Sequence, residues 1–456
     1  MDAKDNLISE LQAIIAELRD IVAKQGERIA QLEQEVSQHK NRKNSRNSSM
    51  PPSTDLSKPV ARPNQSLRPK SQRKTGGQPG HTGETLTMSP NPDKIERLVP
   101  LICKDCQHSL SQVEGFDLAT RQVIEVPVIK PFVVQYEQVG KICPCCQHMQ
   151  KKEFPAHVNA PIQYGPGVMS TVAYMHTRQF LSLARIKELM SSLFGIEMSE
   201  GTIVNLLEKM AEKLMPAYQL IKNQILDSGY AGADETGCKV DGKKHWIWAI
   251  QNERGTFIWQ SKSRGYEALE IEFGSKLNDL ILIHDCWAAY FQTGAQEHQL
   301  CLAHLKRDLQ YLAELFPKQK WVDSMQTLFS KALALKREME PEPTKAWQLA
   351  RKMLEEELKL CIQYPLENAE KQVITFKKRL QKHIDHLTTF LNHYHIPPDN
   401  NGSERAIRNI KVKTKISGQF KSETGADIFV VVCSVTDTLI KQDLPIFESL
   451  QKFANG

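Results

Sequence analysis

The chain has 456 residues, a net charge of +6 and ten cysteines. It is too long for one ordinary hydrophobic core, so we expect two or three domains. It contains no run of about 18 apolar residues, and its N-terminus is charged rather than signal-like, which excludes a membrane-spanning class and favours a cytoplasmic protein. Cysteines in that compartment stay reduced, so metal binding or burial is favoured over disulfides.

Residues 1–40 carry a heptad pattern. Apolar residues alternate at spacings of three and four, with β-branched residues at each first position and leucine at each fourth position except Gln25. This choice favours a parallel two-stranded coiled coil whose single polar seam residue fixes the register. An amphipathic helix packed on the protein's own body is the alternative. The seam residues are Ile8, Leu11, Ile15, Leu18, Val22, Gln25, Ile29, Leu32 and Val36.

Residues 41–89 are dominated by Pro, Ser, Asn and basic residues. Between His39 and Gly80, ten Lys and Arg stand against one acid, Asp55, which gives a local charge of +9. Such a segment lacks the apolar surface needed to fold alone, so we interpret it as a disordered basic linker. Its charge favours a polyanion partner, most often nucleic acid. A solvated linker without a ligand is the alternative.

Two cysteine knuckles bracket a segment rich in Val and Ile at residues 90–160, where we expect short strands. Paired CxxC motifs at the two ends of a small β-unit can bring four thiolates into one tetrahedral zinc site. The expected ligands are Cys103, Cys106, Cys143 and Cys146, with Cys145, His108 or His148 as possible substitutes. Buried or redox-active thiols are the alternative.

Residues 161–226 are predicted to be helical. Gly195 ends one helix and Ser199 caps the next, which is the outline of a helix-turn-helix DNA-binding domain. A plain helical hairpin has the same pattern, so a structural role is the alternative.

Residues 227–300 change to the two-residue period of strands. Three successive strands form an antiparallel meander, a short helix follows at Tyr266 to Phe273, and a continuous apolar strand ends at Asp285. Asp234 lies inside the first strand, where an acid is costly unless it is paired or binds metal. Strands in this order, with acids on the first and fourth, are the outline of a ribonuclease-H-like core that binds two divalent ions.

The third acid is predicted in the C-terminal part of this core, residues 396–456, after an all-α insertion at residues 301–395. A helix beginning at Asn401 places Glu404 in its first turn, where it either caps the helix or joins the metal site. Glu404, Arg408 and Lys411 share one helix face. Cations beside a metal-binding carboxylate favour contact with a DNA backbone.

The chain resembles the large transposases of the insertion-sequence-66 family of bacterial mobile elements. The resemblance is carried by the zipper, by both CxxC knuckles and by short motifs in the family's order: "NSSMPPSTD", "GGQPGHTG", "QYGPGV", "FGIEMSEGTI", "ADETGCKV", "HDCWAAYF", "CLAHLKRDL" and "PPDNNGSERAIR".

The resemblance implies a DNA transposase whose Asp-Asp-Glu triad is Asp234, Asp285 and Glu404. These acids would hold two Mg²⁺ ions for cleavage at transposon ends and for strand transfer into target DNA. It also points to Trp287, Tyr290 and the Cys301–His304 pair. A structural Zn²⁺, a homodimer or higher oligomer, nucleoid association and small accessory proteins are further expectations. Residues that are expected to contact DNA lie in the linker, in the helix that begins at Asn401 and near the Cys301–His304 pair. They are Arg405, Arg408, Lys411, Lys413, His304, Arg307, Arg73, Lys74 and His81.

The fold class expected is therefore multidomain α/β, with coiled coil, basic linker, zinc ribbon and helical domain preceding the ribonuclease-H-like core. Two other functions remain open. One is a catalytically silent, zinc-ribbon DNA-binding regulator derived from such a transposase. The other is a ribonuclease or Holliday-junction nuclease built on the same core.

Overall fold

The computed structural model describes residues 15–29, 32, 86–127, 129–155, 157–367 and 369–455. Nearly all of the predicted basic linker lies outside these residues, as do the heptad positions Ile8, Leu11 and Val36. Residues 15–29 form a helix, α1. The seam residues Ile15 and Val22 of this helix are 49% and 67% exposed, so the described part of the chain does not cover its apolar face.

The described residues from 141 onward contain a two-stranded sheet, a five-stranded sheet and eleven further α-helices. The strands are β1 (Lys141–Ile142), β2 (Met149–Gln150), β3 (Tyr230–Val240), β4 (Lys243–Gln251), β5 (Thr256–Ser261), β6 (Ile281–His284) and β7 (Glu297–Leu300). The helices are α2 (Pro166–Thr177), α3 (Leu183–Phe194), α4 (Glu200–Leu226), α5 (Glu267–Phe273), α6 (Leu302–Leu315), α7 (Lys320–Arg337), α8 (Lys345–Gln363), α9 (Lys371–Lys382), α10 (Asn401–Ser417), α11 (Glu423–Lys441) and α12 (Ile446–Asn455).

The five-stranded sheet has the order β5-β4-β3-β6-β7. Strands β3, β4 and β5 are antiparallel neighbours, whereas β6 pairs parallel with both β3 and β7. The predicted meander, the short helix and the buried strand before Asp285 are confirmed. Strand β7 was not predicted, because four residues reading EHQL carry neither alternation nor a continuous apolar run.

Helix α11 covers the outer edge of strand β5. The hydroxyl of Ser434 accepts the backbone N–H of Ile258 at 2.9 Å, and that of Thr438 accepts the N–H of Thr256 at 3.0 Å. These two donors face away from β4, so without the hydroxyls they would be buried and unsatisfied. The need to satisfy these N–H groups explains why so apolar a helix carries Ser and Thr on one side. The covered edge of β5 cannot pair with another strand.

Helices α2 to α4 pack against the five-stranded sheet in a single hydrophobic cluster. The predicted turn between α3 and α4 is confirmed, since Gly195 adopts the left-handed conformation (φ 62°) and the Ser199 side chain accepts from the N–H of Thr202. The exposed charged residues in the first half of α4 are two acids and two lysines: Glu208, Lys209, Glu212 and Lys213. A neutral exposed face favours the structural role of this hairpin over DNA recognition.

The two cysteine knuckles fold into matching turns. In each turn, the carbonyl of the first cysteine accepts a hydrogen bond from the backbone N–H of the fourth residue after it. That residue, Gln107 in one knuckle and Gln147 in the other, has a left-handed conformation (φ 63° and 60°). The strands predicted between the knuckles are wrong for the described residues from 121 to 140, which form no strand. Their apolar side chains, such as Phe132 at 87%, are exposed because no second strand pairs with them.

Helices α6 to α9 confirm the helix-rich character of residues 301–395. Their apolar faces form a second cluster that includes Tyr230, Ile281, Ile283 and Leu300 of the sheet. The insertion therefore packs directly on strands β3, β6 and β7. No helix in the described part of the chain is both long enough and apolar enough to cross a membrane.

Gly232 on β3 gives a test of how closely helix α10 packs on the sheet. A Cβ at this position would lie 2.4 Å from the side-chain oxygen of Asn400 and 2.8 Å from the hydroxyl of Ser403. We predict that Gly232→Ala lowers the free energy of unfolding by about 1–3 kcal/mol, the usual range for overpacking, measured by chemical denaturation.

Gly237→Ala on the same strand is the matched control. There the new Cβ would meet only the Trp246 ring at 3.6 Å, an ordinary contact. We expect this variant to be as stable as the wild type or slightly more stable, because alanine costs less backbone entropy than glycine. Equal effects of the two substitutions would contradict the close packing of α10 at Gly232.

Candidate active site

The parallel pairing of β3 and β6 brings Asp234 and Asp285 side by side. Gly232 pairs with Ile283, so the two acids lie two residues further along adjacent strands. Asp234 is inside β3, and Asp285 is the first residue after β6. The carboxyl edge of parallel strands is where open α/β sheets place their ligands.

The negative charges of the two aspartates are poorly compensated. Burial, together with the carboxylates of Glu235 and Asp285, raises the pKa of Asp234 well above its usual value. Burial and Glu235 raise the pKa of Asp285 to about 6, although the N–H of Trp287 and the Arg264 guanidinium act in the opposite direction. Two half-buried acids that repel each other form an oxygen-rich site that a divalent cation would stabilise.

Glu235 lies next to Asp234 in sequence but already has an ion-pair partner and a hydrogen-bond partner. Its Oε1 accepts the Nε and Nη2 of Arg264 at 2.9 and 2.8 Å, and its Oε2 accepts the Tyr290 hydroxyl at 2.5 Å. The Arg264 guanidinium also stacks on Trp287, 3.9 Å from the ring centroid. These contacts give Trp287 and Tyr290 a structural role, which is to support the loop that carries Asp285.

Glu404 is held by helix α6. Its Oε1 accepts Nη2 of Arg307 at 2.7 Å and lies 3.4 Å from Nε2 of His304. The capping alternative is wrong, because the backbone N–H of Asn400, the N-cap residue, donates to the sulfur of Cys301 and not to Glu404. In the described residues, the carboxylates of Glu404, Asp234 and Asp285 are not within 4.8 Å of one another as a set.

Asn400 fixes the start of helix α10 against the sheet. Its side-chain amide donates to the carbonyl of Ala233 at 2.6 Å, and its backbone N–H donates to the sulfur of Cys301 at 3.2 Å. The hydroxyl of Ser403 donates to its side-chain oxygen at 2.6 Å. Asn400 is only 2% exposed, so one buried residue connects α10 with the residue before Asp234 and with the start of α6.

The basic residues predicted to contact DNA divide into several groups. Arg405 and Arg408 are exposed on α10, and Lys411 is half-buried. Lys413 is a correction: it is 4% exposed, and its Nζ donates to the carbonyl of Leu181 at 3.2 Å, so it is not at the surface. The predicted residues Arg73, Lys74 and His81 lie outside the described part of the chain.

Three residues around the site were missed by the sequence analysis: Glu235, Arg264 and Asn400. The acid beside Asp234 was visible as a neighbour, but its ion pair joins residues 29 apart and has no spacing signal. Asn400 lies in the quoted motif PPDNNGSERAIR, but its bond to Ala233 joins residues 167 apart and has no spacing signal either. The clue available was the run of three polar residues, Asp399, Asn400 and Asn401, at the start of the helix.

Comparison with known families adds two matches. Residues 2–87 match a family of unknown function, DUF6444. No curated protein matches the chain significantly. Residues 161–428, more than half of the chain, match the Transposase IS66 family, which covers Asp234, Asp285 and Glu404. The chain therefore belongs to the IS66 family of transposases, which are DNA-processing enzymes.

Proposed function

We propose that this protein is a DNA transposase that cleaves 3′ ends of an insertion sequence and transfers them to target DNA through Asp234, Asp285 and Glu404. The observation that carries the proposal is the adjacency of Asp234 and Asp285 on parallel strands, together with the docking of the Glu404 helix on the same strand by Asn400. Membership of the IS66 family supports the reaction class.

The five-stranded sheet supports a ribonuclease-H-like core. Its strand order, β5-β4-β3-β6-β7, has three antiparallel strands followed by two parallel ones. Asp234 lies on the central strand β3, and Asp285 directly follows the adjacent strand β6. Helix α10, which comes late in the chain, docks on β3 through Asn400 and carries the third acid, as expected for the proposed core.

The acid pair fits Mg²⁺, which prefers carboxylate oxygens. Burial and neighbouring carboxylates raise the pKa values of Asp234 and Asp285, so a bound cation would stabilise their charged forms. Magnesium bound there would activate the attacking water or 3′ hydroxyl and stabilise the leaving 3′ oxygen. Glu404 would join the two aspartates at the metal after giving up its ion pair with Arg307. The guanidinium of Arg307 would then be available to a DNA phosphate.

The DNA backbone is proposed to lie along α10 beside the acids. Arg405 and Arg408 are exposed within one turn after Glu404, and half-buried Lys411 follows on the Glu404 face. His304 and Arg307 of α6 lie against Glu404, so they border the same site. Lys413 is left out because it is buried.

The knuckles are proposed to bind a structural Zn²⁺. In each, backbone N–H groups and the second cysteine lower the pKa of the first thiol, Cys103 or Cys143, as a metal-binding thiolate requires. The four sulfurs do not meet in the described structure, since no three of them lie within 4.8 Å of one another. Zinc binding would therefore bring the two knuckles together.

Replacing each acid tests the catalytic assignment. Asp234→Asn, Asp285→Asn and Glu404→Gln should each slow Mg²⁺-dependent end cleavage roughly 1,000-fold, because loss of metal-assisted charge stabilisation costs several kcal/mol. The exposed Asp279→Asn on the segment before β6 is the control and should cleave at the wild-type rate. DNA binding with no cleavage by the wild type would favour the silent regulator, and a preference for branched DNA or RNA–DNA hybrids would favour the nuclease.

The burial of Asp234, together with repulsion from neighbouring carboxylates, gives a stability prediction. In metal-free buffer at pH 8, Asp234→Asn should melt at a higher temperature than the wild type, because the fold disfavours the charged carboxylate. A raised folded-state pKa means that this penalty begins as pH rises above the unfolded value of about 3.9. The gap should therefore be smaller at pH 5 than at pH 8.

Magnesium should reverse the order. It stabilises the wild type by binding the folded state, whereas the Asp234→Asn variant gains less. Asp279→Asn is again the control and should follow the wild type at both pH values. A wild type that is more stable than Asp234→Asn without metal at pH 8 would contradict the proposed repulsion.

We also propose that the chain dimerises through helix α1. Val22 is on the predicted seam and is 67% exposed, so Val22→Asp should shift the full chain from dimer to monomer by placing charge in the interface. Ala23→Asp, off the seam, should leave the dimer intact. Sedimentation velocity measures both. An unchanged dimer with Val22→Asp would show that the chain associates elsewhere.

A further inference from the structure

Cys301, His304 and Glu404 form a cluster of three metal-binding side chains beside the candidate active site. One atom from each, a sulfur, a ring nitrogen and a carboxylate oxygen, lies within 4.8 Å of the others, and this is the one such group in the described part of the chain. Cys301 is the N-cap of α6, His304 lies in its first turn, and Glu404 lies in the first turn of α10. The cluster is therefore built from two rigid helix starts.

The local structure holds these three groups in place. Cys301 is 1% exposed, and its sulfur accepts the N–H of Asn400, which also anchors α10. The spacing of three residues places His304 on the same side of α6 as the N-cap. Nε2 of His304 lies 3.4 Å from Oε1 of Glu404, whereas its Nδ1 is buried with no hydrogen-bond partner among protein atoms.

The chemistry of the donors selects the metal. A thiolate, an imidazole and one carboxylate are the mixed ligand set of zinc, whereas Mg²⁺ takes oxygen ligands. Ligand atoms separated by up to 4.8 Å need only a small contraction to reach one ion, because zinc bonds are about 2.0–2.3 Å long. The neighbouring aspartates supply only oxygens, so the two sites differ in metal preference.

The guanidinium of Arg307 supplies the positive charge beside Glu404 at this cluster. Its Nη2 lies 2.7 Å from Oε1 of Glu404, and its Nε donates only to the carbonyl of Ala303 in its own helix. A dication at Glu404 would replace the charge that Arg307 supplies. The Arg307 side chain is partly exposed, so the displaced guanidinium would be able to reach solvent or a phosphate.

We propose that Cys301, His304 and Glu404 bind Zn²⁺, and that zinc there withholds Glu404 from Asp234 and Asp285. The zinc site itself is independent of the transposase reaction. Its consequence, competition between zinc and magnesium for Glu404, rests on the proposed function. The site is also separate from the knuckles, which contain none of these residues.

The test is the zinc content of the full-length protein after equilibration with Zn²⁺ and removal of the free metal. Cys301→Ser and His304→Ala should each bind one zinc ion fewer per chain than the wild type. Cys361→Ser, a partly buried thiol on α8, is the matched control and should keep the wild-type content. Asp234→Asn should also keep it, because the aspartates are not ligands of this ion.

Wild-type zinc content in both Cys301→Ser and His304→Ala would overturn the proposal, and so would loss of zinc in Cys361→Ser or Asp234→Asn. If Cys301→Ser misfolds because it disturbs Asn400, His304→Ala decides alone. Zinc binding is measured without DNA, so a failure to bind zinc would not contradict the proposed end cleavage. Conversely, a protein that binds this zinc but never cleaves DNA would refute the proposed function and not the site.

Discussion

The hydrogen bond from the Asn400 side chain to the carbonyl of Ala233 connects the parts of the candidate site. It attaches the start of α10 to β3, one residue before Asp234, at a distance of 2.6 Å. Because Asn400 is almost fully buried, loss of this bond would leave a buried carbonyl unsatisfied. The lack of a side chain at Gly232 makes this approach possible, and the Asn400 N–H contact with Cys301 adds α6 to the same junction.

Charge around this junction is distributed unequally. Glu235 has a full set of partners in Arg264 and Tyr290, and Glu404 has Arg307, whereas Asp234 and Asp285 have no cation in direct contact among the described residues. Burial of these two acids destabilises the metal-free fold, a cost that is common where a site is preorganised for a ligand. Under the proposed function, a cation bound to these acids would stabilise the fold, and Glu404 would have to exchange its contact with Arg307 for that cation.

Local patterns predicted much of the fold because the elements concerned form from local sequence. The alternation in β3 to β5 and the apolar run of β6 identified the sheet and both aspartates, and Gly195 and Ser199 identified a helix turn. Strand β7 and the segment between the knuckles failed locally, whereas the failures at the site involve contacts between distant segments. Arg307 and Glu404 are 97 residues apart, and the burial of Lys413 depends on Leu181, 232 residues away. A basic residue on a helix looks like a phosphate contact until packing shows otherwise.

The central claim is that Asn400 acts by positioning Glu404, and a double-mutant cycle in single-turnover, Mg²⁺-dependent end cleavage tests it most directly. If the claim holds, Asn400→Ala slows cleavage, but adding it to Glu404→Gln causes no further loss, because the misplaced side chain is already inactive. Circular dichroism confirms that each variant is folded. Losses that multiply in the double variant, or a wild-type rate for Asn400→Ala, would contradict the account.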